Sequence, residues 1–173
     1  VETALDGMFE RNDGRTLARL GGPDRAQVIA NWIKDMGRTL DFLEERDDID
    51  HTRVGYLGIS LGADLVPIVL PFEERFHAAI LYSGGLSVLH TQPVLDDRLA
   101  LLGRVEVPVL MLGGNRDFSN PVANQQAMFQ AFGTPEEDRY ITIFESGHWP
   151  LPMNRVLRET GDFLDRYLRS AIN

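Results

Sequence analysis

The sequence contains no cysteine, so disulfide bonds, thiolate metal sites and cysteine nucleophiles are excluded. Basic residues are also few: 17 lysines and arginines stand against 26 aspartates and glutamates, which gives a net charge of −9. Nucleic acids and anionic membranes bind basic surfaces, so we expect neither as a partner. The longest apolar run, Leu65 to Phe72, is interrupted by Pro67 and is too short to cross a bilayer.

The N terminus lacks an initiator methionine and the pattern of a signal peptide. We therefore expect a cytoplasmic chain that is an excerpt from a longer protein. Its 173 residues are enough for one domain with a hydrophobic core, and there is no linker or internal repeat. The expected organisation is a single domain over residues 1–173 that is incomplete at its N terminus.

Apolar segments alternate with helical patterns along most of the chain. Four short runs without polar alternation predict an α/β fold with a parallel sheet covered on both faces. The predicted strands are Thr52–Gly58, Ala78–Ser83, Val107–Leu112 and Tyr140–Phe144. The predicted helices are Pro23–Arg46, Leu61–Leu70 with a kink at Pro67, Pro121–Phe132 and Asn154–Ile172. Two stretches are predicted to be irregular, Val1–Gly22 and, with a helical turn at most, Leu86–Leu102.

The pentapeptide Gly58-Ile59-Ser60-Leu61-Gly62 lies between a predicted strand and a predicted helix. This context is typical of a nucleophile elbow, in which a sharp turn exposes a serine hydroxyl. The serine adopts a strained backbone conformation there, and we expect side chains at either glycine to collide with neighbouring backbone. The N–H of Leu61 would point to the position where an oxyanion forms.

Polar residues follow three of the four predicted strands. Ser60 follows the first, Asp117 the third and His148 the fourth. Active sites of open parallel sheets lie beyond the carboxyl ends of the strands, so we expect these side chains to lie close together. His148 would take the proton of Ser60 during attack, and Asp117 would hold the imidazole in the required tautomer. The order Ser, Asp, His is that of α/β hydrolases.

The sequence leaves a second interpretation open for each of these residues. Ser60 could be a small residue in a tight turn, and His148 could be a structural histidine held by Glu145. Asp117 could cap the following helix, in which case the acid would be Asp96 or Asp97.

Two aromatic residues adjoin the candidate acid and base. Phe118 follows Asp117 and Trp149 follows His148, so either could line an apolar substrate pocket or pack in the core. The other histidines, which we expect at the surface or in packing roles, are His51, His77 and His90.

With these residues in place, the chain resembles the α/β-hydrolase superfamily, and within it the dienelactone-hydrolase-like and acyl-peptidase-like esterases. More narrowly, it resembles the hydrolase domains attached to some bacterial serine/threonine protein kinases. Besides the elbow, the resemblance depends on Ile33–Arg38, Arg46–Asp50, Pro108–Leu112, and Gly133–Asp138 with the later pair Gly147-His148. It implies a three-layer fold, with Ser60 as nucleophile, Asp117 as acid, His148 as base, and no cofactor or metal.

The chain departs from this family before the nucleophile strand. The full fold has further strands there, and one of their loops supplies a second oxyanion donor. Only Val1–Gly22 and one predicted helix precede Thr52, so we expect the N-terminal strands to be missing. Strand Thr52–Gly58 would then be an edge that pairs with an upstream segment of the polypeptide or with a second copy in a homodimer.

The function predicted from these features is that of a serine hydrolase acting on a small carboxylic ester, thioester or lactone through an acyl-enzyme. One alternative is a binding or regulatory module without turnover, attached to a larger protein such as a kinase. Another is a peptidase of the prolyl-oligopeptidase kind, which shares the triad.

Overall fold

The structure, a computed structural model, describes residues 23–86 and 94–169. The chain divides into two compact units, residues 1–49 and residues 50–173. In the first unit the structure describes helix α1, Pro23–Glu44, which ends two residues before the predicted Arg46. The segment Val1–Gly22, predicted to be irregular, lies outside the described residues.

The second unit is built on a four-stranded sheet in which every neighbouring pair is parallel and the order is β1-β2-β3-β4. The strands are β1 Val54–Ile59, β2 Phe76–Tyr82, β3 Val109–Gly114 and β4 Arg139–Phe144. Each strand begins and ends within two residues of its predicted bounds. The predicted α/β class with a parallel sheet is therefore confirmed.

Five helices of the second unit are described. They are α2 Leu61–Asp64, α3 Val66–Val69, α4 Val94–Leu102, α5 Val122–Ala131 and α6 Met153–Tyr167. Single turns of 3₁₀ helix cover His51–Arg53, Leu70–Phe72 and Glu136–Asp138.

The prediction of one helix over Leu61–Leu70 with a kink at Pro67 is wrong. The helix ends at Asp64 and a new one begins at Val66, and the chain then tightens into 3₁₀ geometry. Pro67 has no N–H to donate to the carbonyl of Ala63, and its ring would clash there, so the break falls before the proline rather than at it.

Two other helix boundaries differ from the prediction. The second half of Leu86–Leu102, predicted as a loop, is helix α4, whose last residue Leu102 is fully buried. The adjacent charges of Asp96, Asp97 and Arg98 obscure its apolar periodicity in the sequence. Helix α6 ends at Tyr167, earlier than the predicted Ile172, which lies outside the described residues.

The core of the second unit lies on both faces of the sheet, since consecutive residues of β2 and β3 are buried. On one face, side chains of β2, β3 and β4 pack against α6 in a single apolar cluster. Its buried members are Ala78, Ile80, Tyr82, Leu110, Leu112, Phe144, Leu151, Val156 and Phe163. The fully buried Leu81 and Met111 point to the opposite face, so residues of both faces are shielded.

Strand β1 is the last strand of the described sheet on its side. Two of its apolar side chains are well exposed, Leu57 at 52 % and Ile59 at 45 %. Pairing of this edge with an upstream segment or with a second copy stays a prediction.

Candidate active site

Ser60 follows β1 directly and occupies a strained turn. Its φ of 52° and ψ of −111° lie outside the regions that non-glycine residues favour. Its N–H donates to the carbonyl of Tyr82 on β2 at 2.8 Å, which continues the β1–β2 ladder into the turn. A Cβ at Gly58 would lie 2.6 Å from the backbone carbon of Gly62, so only glycine allows the strand to pass this close to α2.

The expected collision of a side chain with neighbouring backbone does not hold for Gly62. A Cβ there would meet no described atom within 4 Å. Gly62 instead offers its carbonyl, which accepts a hydrogen bond from the Tyr56 hydroxyl at 2.6 Å. Gly58 thus permits the close approach of strand and helix, and the hydrogen bond from the Tyr56 hydroxyl stabilises it.

The structure brings together the three polar residues that follow β1, β3 and β4. The Oγ of Ser60 lies 2.8 Å from Nε2 of His148, and Nδ1 of the same ring lies 2.8 Å from Oδ2 of Asp117. An ionised carboxylate can only accept, so Nδ1 carries the proton and donates to Asp117. Nε2 is then left with a lone pair, and the Ser60 hydroxyl donates to it.

Asp117 is buried and uses both carboxylate oxygens. While Oδ2 faces His148, Oδ1 accepts the backbone N–H groups of Ser119 and Asn120, both at 2.9 Å. Helix α5 begins only at Val122, so Asp117 closes the preceding turn and does not cap the helix. The turn therefore fixes the carboxylate that faces the imidazole.

The alternative partners are not used in this arrangement. Both ring nitrogens of His148 are occupied by Ser60 and Asp117, so Glu145 does not hold the ring. The side chains of Asp96 and Asp97, the substitute acids, lie outside the described part of the chain.

Phe118 and Trp149 are at the surface beside the site, so packing in the core is wrong for both. Phe118 is 80 % exposed, with its ring centroid 5.9 Å from that of His148, and Trp149 is 52 % exposed. His51 and His77 are exposed as expected, and His90 lies outside the described residues.

Leu61 begins α2 immediately after Ser60. Among residues 23–86 and 94–169, no acceptor is hydrogen-bonded to its backbone N–H. An N–H that follows a nucleophile directly and has no internal partner is suited to an oxyanion.

Three polar residues that adjoin the site, Ser83, Asn120 and Asp64, were not predicted from the sequence. Ser83, at the end of β2, is fully buried, and its hydroxyl donates to the carbonyl of His148 at 2.6 Å. The amide nitrogen of Asn120 donates to the carbonyl of Ser83 at 2.9 Å and lies 3.4 Å from Oδ1 of Asp64. The signals available were positional: Ser83 ends a strand as Ser60 does, and Asn120 lies three residues after Asp117.

The carboxyl group of Asp64 is the titratable group most clearly perturbed beside the site. Burial raises its pKa from 3.8 to about 6, although the N–H of Gly85, the charge of Arg98 and the amide of Asn120 oppose that shift. Gly85 donates to Oδ1 at 3.1 Å, and the Arg98 guanidinium donates to the backbone carbonyl of Asp64. The folded protein therefore binds a proton at Asp64 more tightly than the unfolded chain does.

Metal-ligand clusters and membrane-spanning helices are both absent from the part of the chain that the structure describes. No cluster of histidine and acidic side chains there is arranged to hold a metal ion. None of the helices described combines the length and apolarity needed to cross a bilayer.

Solved structures with the same fold include several hydrolases. The chain is similar to a cold-adapted esterase from an Arctic intertidal metagenomic library, with 23 % identity and a TM-score of 0.69 over 82 % of this chain and 57 % of that one. It is similar to a dienelactone hydrolase from Anabaena variabilis, with 20 % identity and a TM-score of 0.65 over 82 % and 62 % of the two chains. The acylaminoacyl peptidase of Pyrococcus horikoshii shares 19 % identity and a TM-score of 0.63 over 81 % and 28 %.

The chain thus spans 57 % of the esterase and 62 % of the dienelactone hydrolase. At these identities the likeness establishes the α/β-hydrolase fold. No curated protein matches the chain significantly. The profile of the dienelactone hydrolase family, however, matches residues 8–149, well over half of the sequence. The chain therefore belongs to the dienelactone hydrolase family.

Proposed function

We propose that the protein is a serine hydrolase that cleaves a small carboxylic ester, thioester or lactone. The observation that carries the proposal is the chain of two 2.8 Å contacts from Ser60 through His148 to Asp117, beginning at a serine with a φ of 52°. Membership of the dienelactone hydrolase family, and a fold shared with esterases, support the same reaction class.

In this mechanism the Ser60 oxygen attacks the carbonyl carbon of the ester while its proton passes to Nε2 of His148. The Leu61 N–H would stabilise the oxyanion of the tetrahedral intermediate, an interaction that typically contributes about 2.7–4 kcal/mol. The C–O bond of the ester or lactone, or the C–S bond of a thioester, then breaks. The departing alkoxide or thiolate takes the proton from His148, and an acyl-enzyme remains on Ser60. Water then attacks the acyl carbon while His148 takes its proton. The bond from that carbon to the Ser60 oxygen breaks, His148 returns the proton to Oγ, and the carboxylic acid leaves.

Asp117 has a specific part in this cycle. Its Oδ2 keeps the proton on Nδ1, so that Nε2 is the nitrogen free to accept from serine, and its charge stabilises the imidazolium. Burial strengthens that charge interaction because little water screens it, while the N–H groups of Ser119 and Asn120 compensate the carboxylate for its desolvation.

Phe118 and Trp149 are the proposed substrate contacts. An exposed phenylalanine in a folded protein leaves apolar area in water, and covering it with an apolar acyl or alcohol group is favourable by about 25 cal/mol per Å². The 5.9 Å distance from Phe118 to the His148 ring places that area beside the proposed base.

The test is labelling with a fluorophosphonate probe together with hydrolysis of p-nitrophenyl acetate. Wild-type protein should be labelled and should turn over the ester, and Ser60→Ala should lose both. Removal of a triad serine costs on the order of 10⁶-fold in kcat in a comparable enzyme.

The matched control is Ser146→Ala, two residues before His148. The Ser146 hydroxyl is buried and has no hydrogen-bond partner among the described residues, so its removal should leave labelling unchanged. Hydrolysis that persists in purified Ser60→Ala would refute the nucleophile. A folded wild-type protein with neither labelling nor turnover would favour the binding module.

A further inference from the structure

A node of buried hydrogen bonds adjoins the proposed triad and is centred on Asn120. This side chain is only 1 % exposed. Its backbone N–H donates to Oδ1 of Asp117, and its carbonyl accepts the amide of Gln125 at 2.7 Å. Its own side-chain nitrogen reaches Ser83 and, at longer range, Asp64.

These contacts connect Asn120 to every member of the triad, directly to Asp117 and through one intermediate residue to His148 and Ser60. Asn120 itself bonds to Asp117. Ser83, which accepts from Asn120 through its carbonyl, donates its hydroxyl to the carbonyl of His148. Asp64, the other acceptor of the Asn120 amide, donates its backbone N–H to the carbonyl of Ser60 at 3.0 Å.

Asn120, Ser83 and Asp64 lie after three different strands, in segments that are far apart in sequence. Asn120 follows β3, Ser83 follows β2, and Asp64 ends the short helix after β1. Beyond the strand ends the regular ladder gives way to single backbone bonds, so side-chain contacts also contribute to the spacing of these loops. The Asn120 amide contacts both of the other loops, and the Asp64 carboxylate, which also accepts from Gly85, closes the same network.

The orientation of this amide is determined by its donor end. Its Nδ2 faces two oxygens, the Ser83 carbonyl and the Asp64 carboxylate, whereas its Oδ1 is buried without a hydrogen-bond partner among the described residues. A flipped amide would set oxygen against both acceptors. Because the buried oxygen has no partner and the nitrogen has two acceptors, we infer that the Asn120 amide acts as a donor.

We propose that Asn120 is a positioning residue that holds the loops after β1, β2 and β3 at the spacing that aligns Ser60, His148 and Asp117. The proposal rests on the hydrolase function proposed above. Asn120 acts through its neighbours and is not expected to contact substrate. Its loss should therefore affect the chemical step more than substrate binding.

The chain offers a matched control in Asn124. Its amide likewise donates to a carbonyl of the loop after β2, that of Leu86, but it forms no hydrogen bond with Asp117, Ser83 or Asp64. Asn120→Ala and Asn124→Ala thus each remove one asparagine side chain that donates to the same loop. They differ in whether the lost amide bonds to Ser83 and Asp64, the residues that contact His148 and Ser60.

The measurements are kcat and KM for p-nitrophenyl acetate, with the rate of fluorophosphonate labelling and the urea midpoint of each variant. For Asn120→Ala we expect kcat to fall about tenfold to a hundredfold, since small displacements of reacting groups cost that much, while KM stays within about twofold. Asn124→Ala should keep kcat within about twofold of the wild-type value. Asn120→Leu, nearly equal in size, uncharged and without the donor, should show the same kcat loss and serves if Asn120→Ala does not fold.

The outcomes separate this proposal from the one on which it rests. If the wild type is labelled and both Asn120 variants are labelled at the same rate, the positioning role is refuted and the hydrolase function stands. Parallel losses of kcat in the Asn120 and Asn124 variants would reduce Asn120 to a general structural role. A wild-type protein that is never labelled would remove the hydrolase function and the positioning role together.

Discussion

The turns after β1 and β2 begin with the same backbone geometry but differ in burial. Each begins with a serine at a φ of 52°, Ser60 in one and Ser83 in the other. Each serine N–H donates at 2.8 Å to a carbonyl of the next strand, that of Tyr82 or Leu112. Both hydroxyls meet His148, but Ser60 faces the ring nitrogen and Ser83 donates to the backbone carbonyl.

The difference between the turns comes from the residues after each serine. After Ser60 the chain enters α2, and Ser60 stays partly exposed with its hydroxyl beside the imidazole. After Ser83 come two glycines, and a Cβ at Gly84 would lie 2.5 Å from the Cβ of Ala63 in α2. The second turn therefore packs against the first and buries its serine completely. A strained serine at a strand end is thus not by itself a nucleophile, because its surroundings decide whether the hydroxyl can be reached.

The largest effect on stability should come from Gly58→Ala, which tests how tightly the first turn is closed. The added Cβ would lie 2.6 Å from Gly62 and 2.7 Å from Ala63, both backbone atoms that cannot rotate away. Overpacking usually costs about 1–3 kcal/mol and more against backbone, so we expect a loss above about 3 kcal/mol in the free energy of unfolding. Urea unfolding measures this change. A variant as stable as wild type would show that the turn can open without cost.

The sequence patterns predicted the turn at Ser60 but not the turn at Ser83. The Gly-x-Ser-x-Gly spacing, the apolar strands and the polar residues at strand ends predicted the sheet and the meeting of Ser60, Asp117 and His148. These features are local: each depends on the residues within one strand and the turn after it. The catalytic roles of the three residues stay proposals.

The residues that sequence reasoning missed depend on contacts between loops. Ser83 is an ordinary last residue of a predicted strand in the sequence, and its hydrogen bond to the carbonyl of His148, 65 residues away, becomes visible only in the folded chain. Asn120 matters through Ser83 and Asp64, which lie 37 and 56 residues away in sequence. Patterns within one element carry no information about such spacing. Attachment of the domain to a kinase likewise remains a prediction.

Asp64→Asn tests the carboxylate that lies between the two turns, and its effect should depend on pH. Burial raises the pKa of Asp64 from 3.8 to about 6, against the charges of Arg98 and His148 and the donors of Gly85 and Asn120. The stability associated with a raised pKa is fully present below the unfolded value and is lost as pH rises through the folded value. Wild type should therefore lose at most about 3 kcal/mol between about pH 4 and pH 6 from this group.

The Asp64→Asn protein has no such titration. Its free energy of unfolding should equal that of wild type near about pH 4 and exceed it increasingly up to about pH 7, as measured by urea unfolding at several pH values. Asp162→Asn, which removes an exposed carboxylate from α6, is the matched control. An Asp64→Asn effect that does not change with pH would mean that the Asp64 carboxylate is not desolvated.

Ser83→Ala should have a smaller effect and separates the two serines directly. The variant leaves the carbonyl of His148 without the donor that now lies 2.6 Å away. Loss of one partner of a buried hydrogen bond costs about 1–3 kcal/mol, so the free energy of unfolding, measured in urea, should fall by that amount. Fluorophosphonate labelling should persist in Ser83→Ala and vanish in Ser60→Ala. A folded Ser83→Ala that lost labelling would contradict this expectation and would mean that the Ser83 hydroxyl is needed to hold His148 in place.

The smallest change, Gly62→Ala, decides whether both glycines of the pentapeptide are needed for closure of the first turn. Gly62 lies within α2, where alanine is favoured over glycine by about 0.5–1 kcal/mol because it restricts the unfolded chain. A Cβ there would meet no described atom within 4 Å, in contrast to the backbone contacts at Gly58. We therefore expect a gain of about 0.5–1 kcal/mol in the free energy of unfolding, opposite in sign to the Gly58→Ala change. A loss in both variants would instead mean that each glycine is required by the turn, as the sequence pattern alone had predicted.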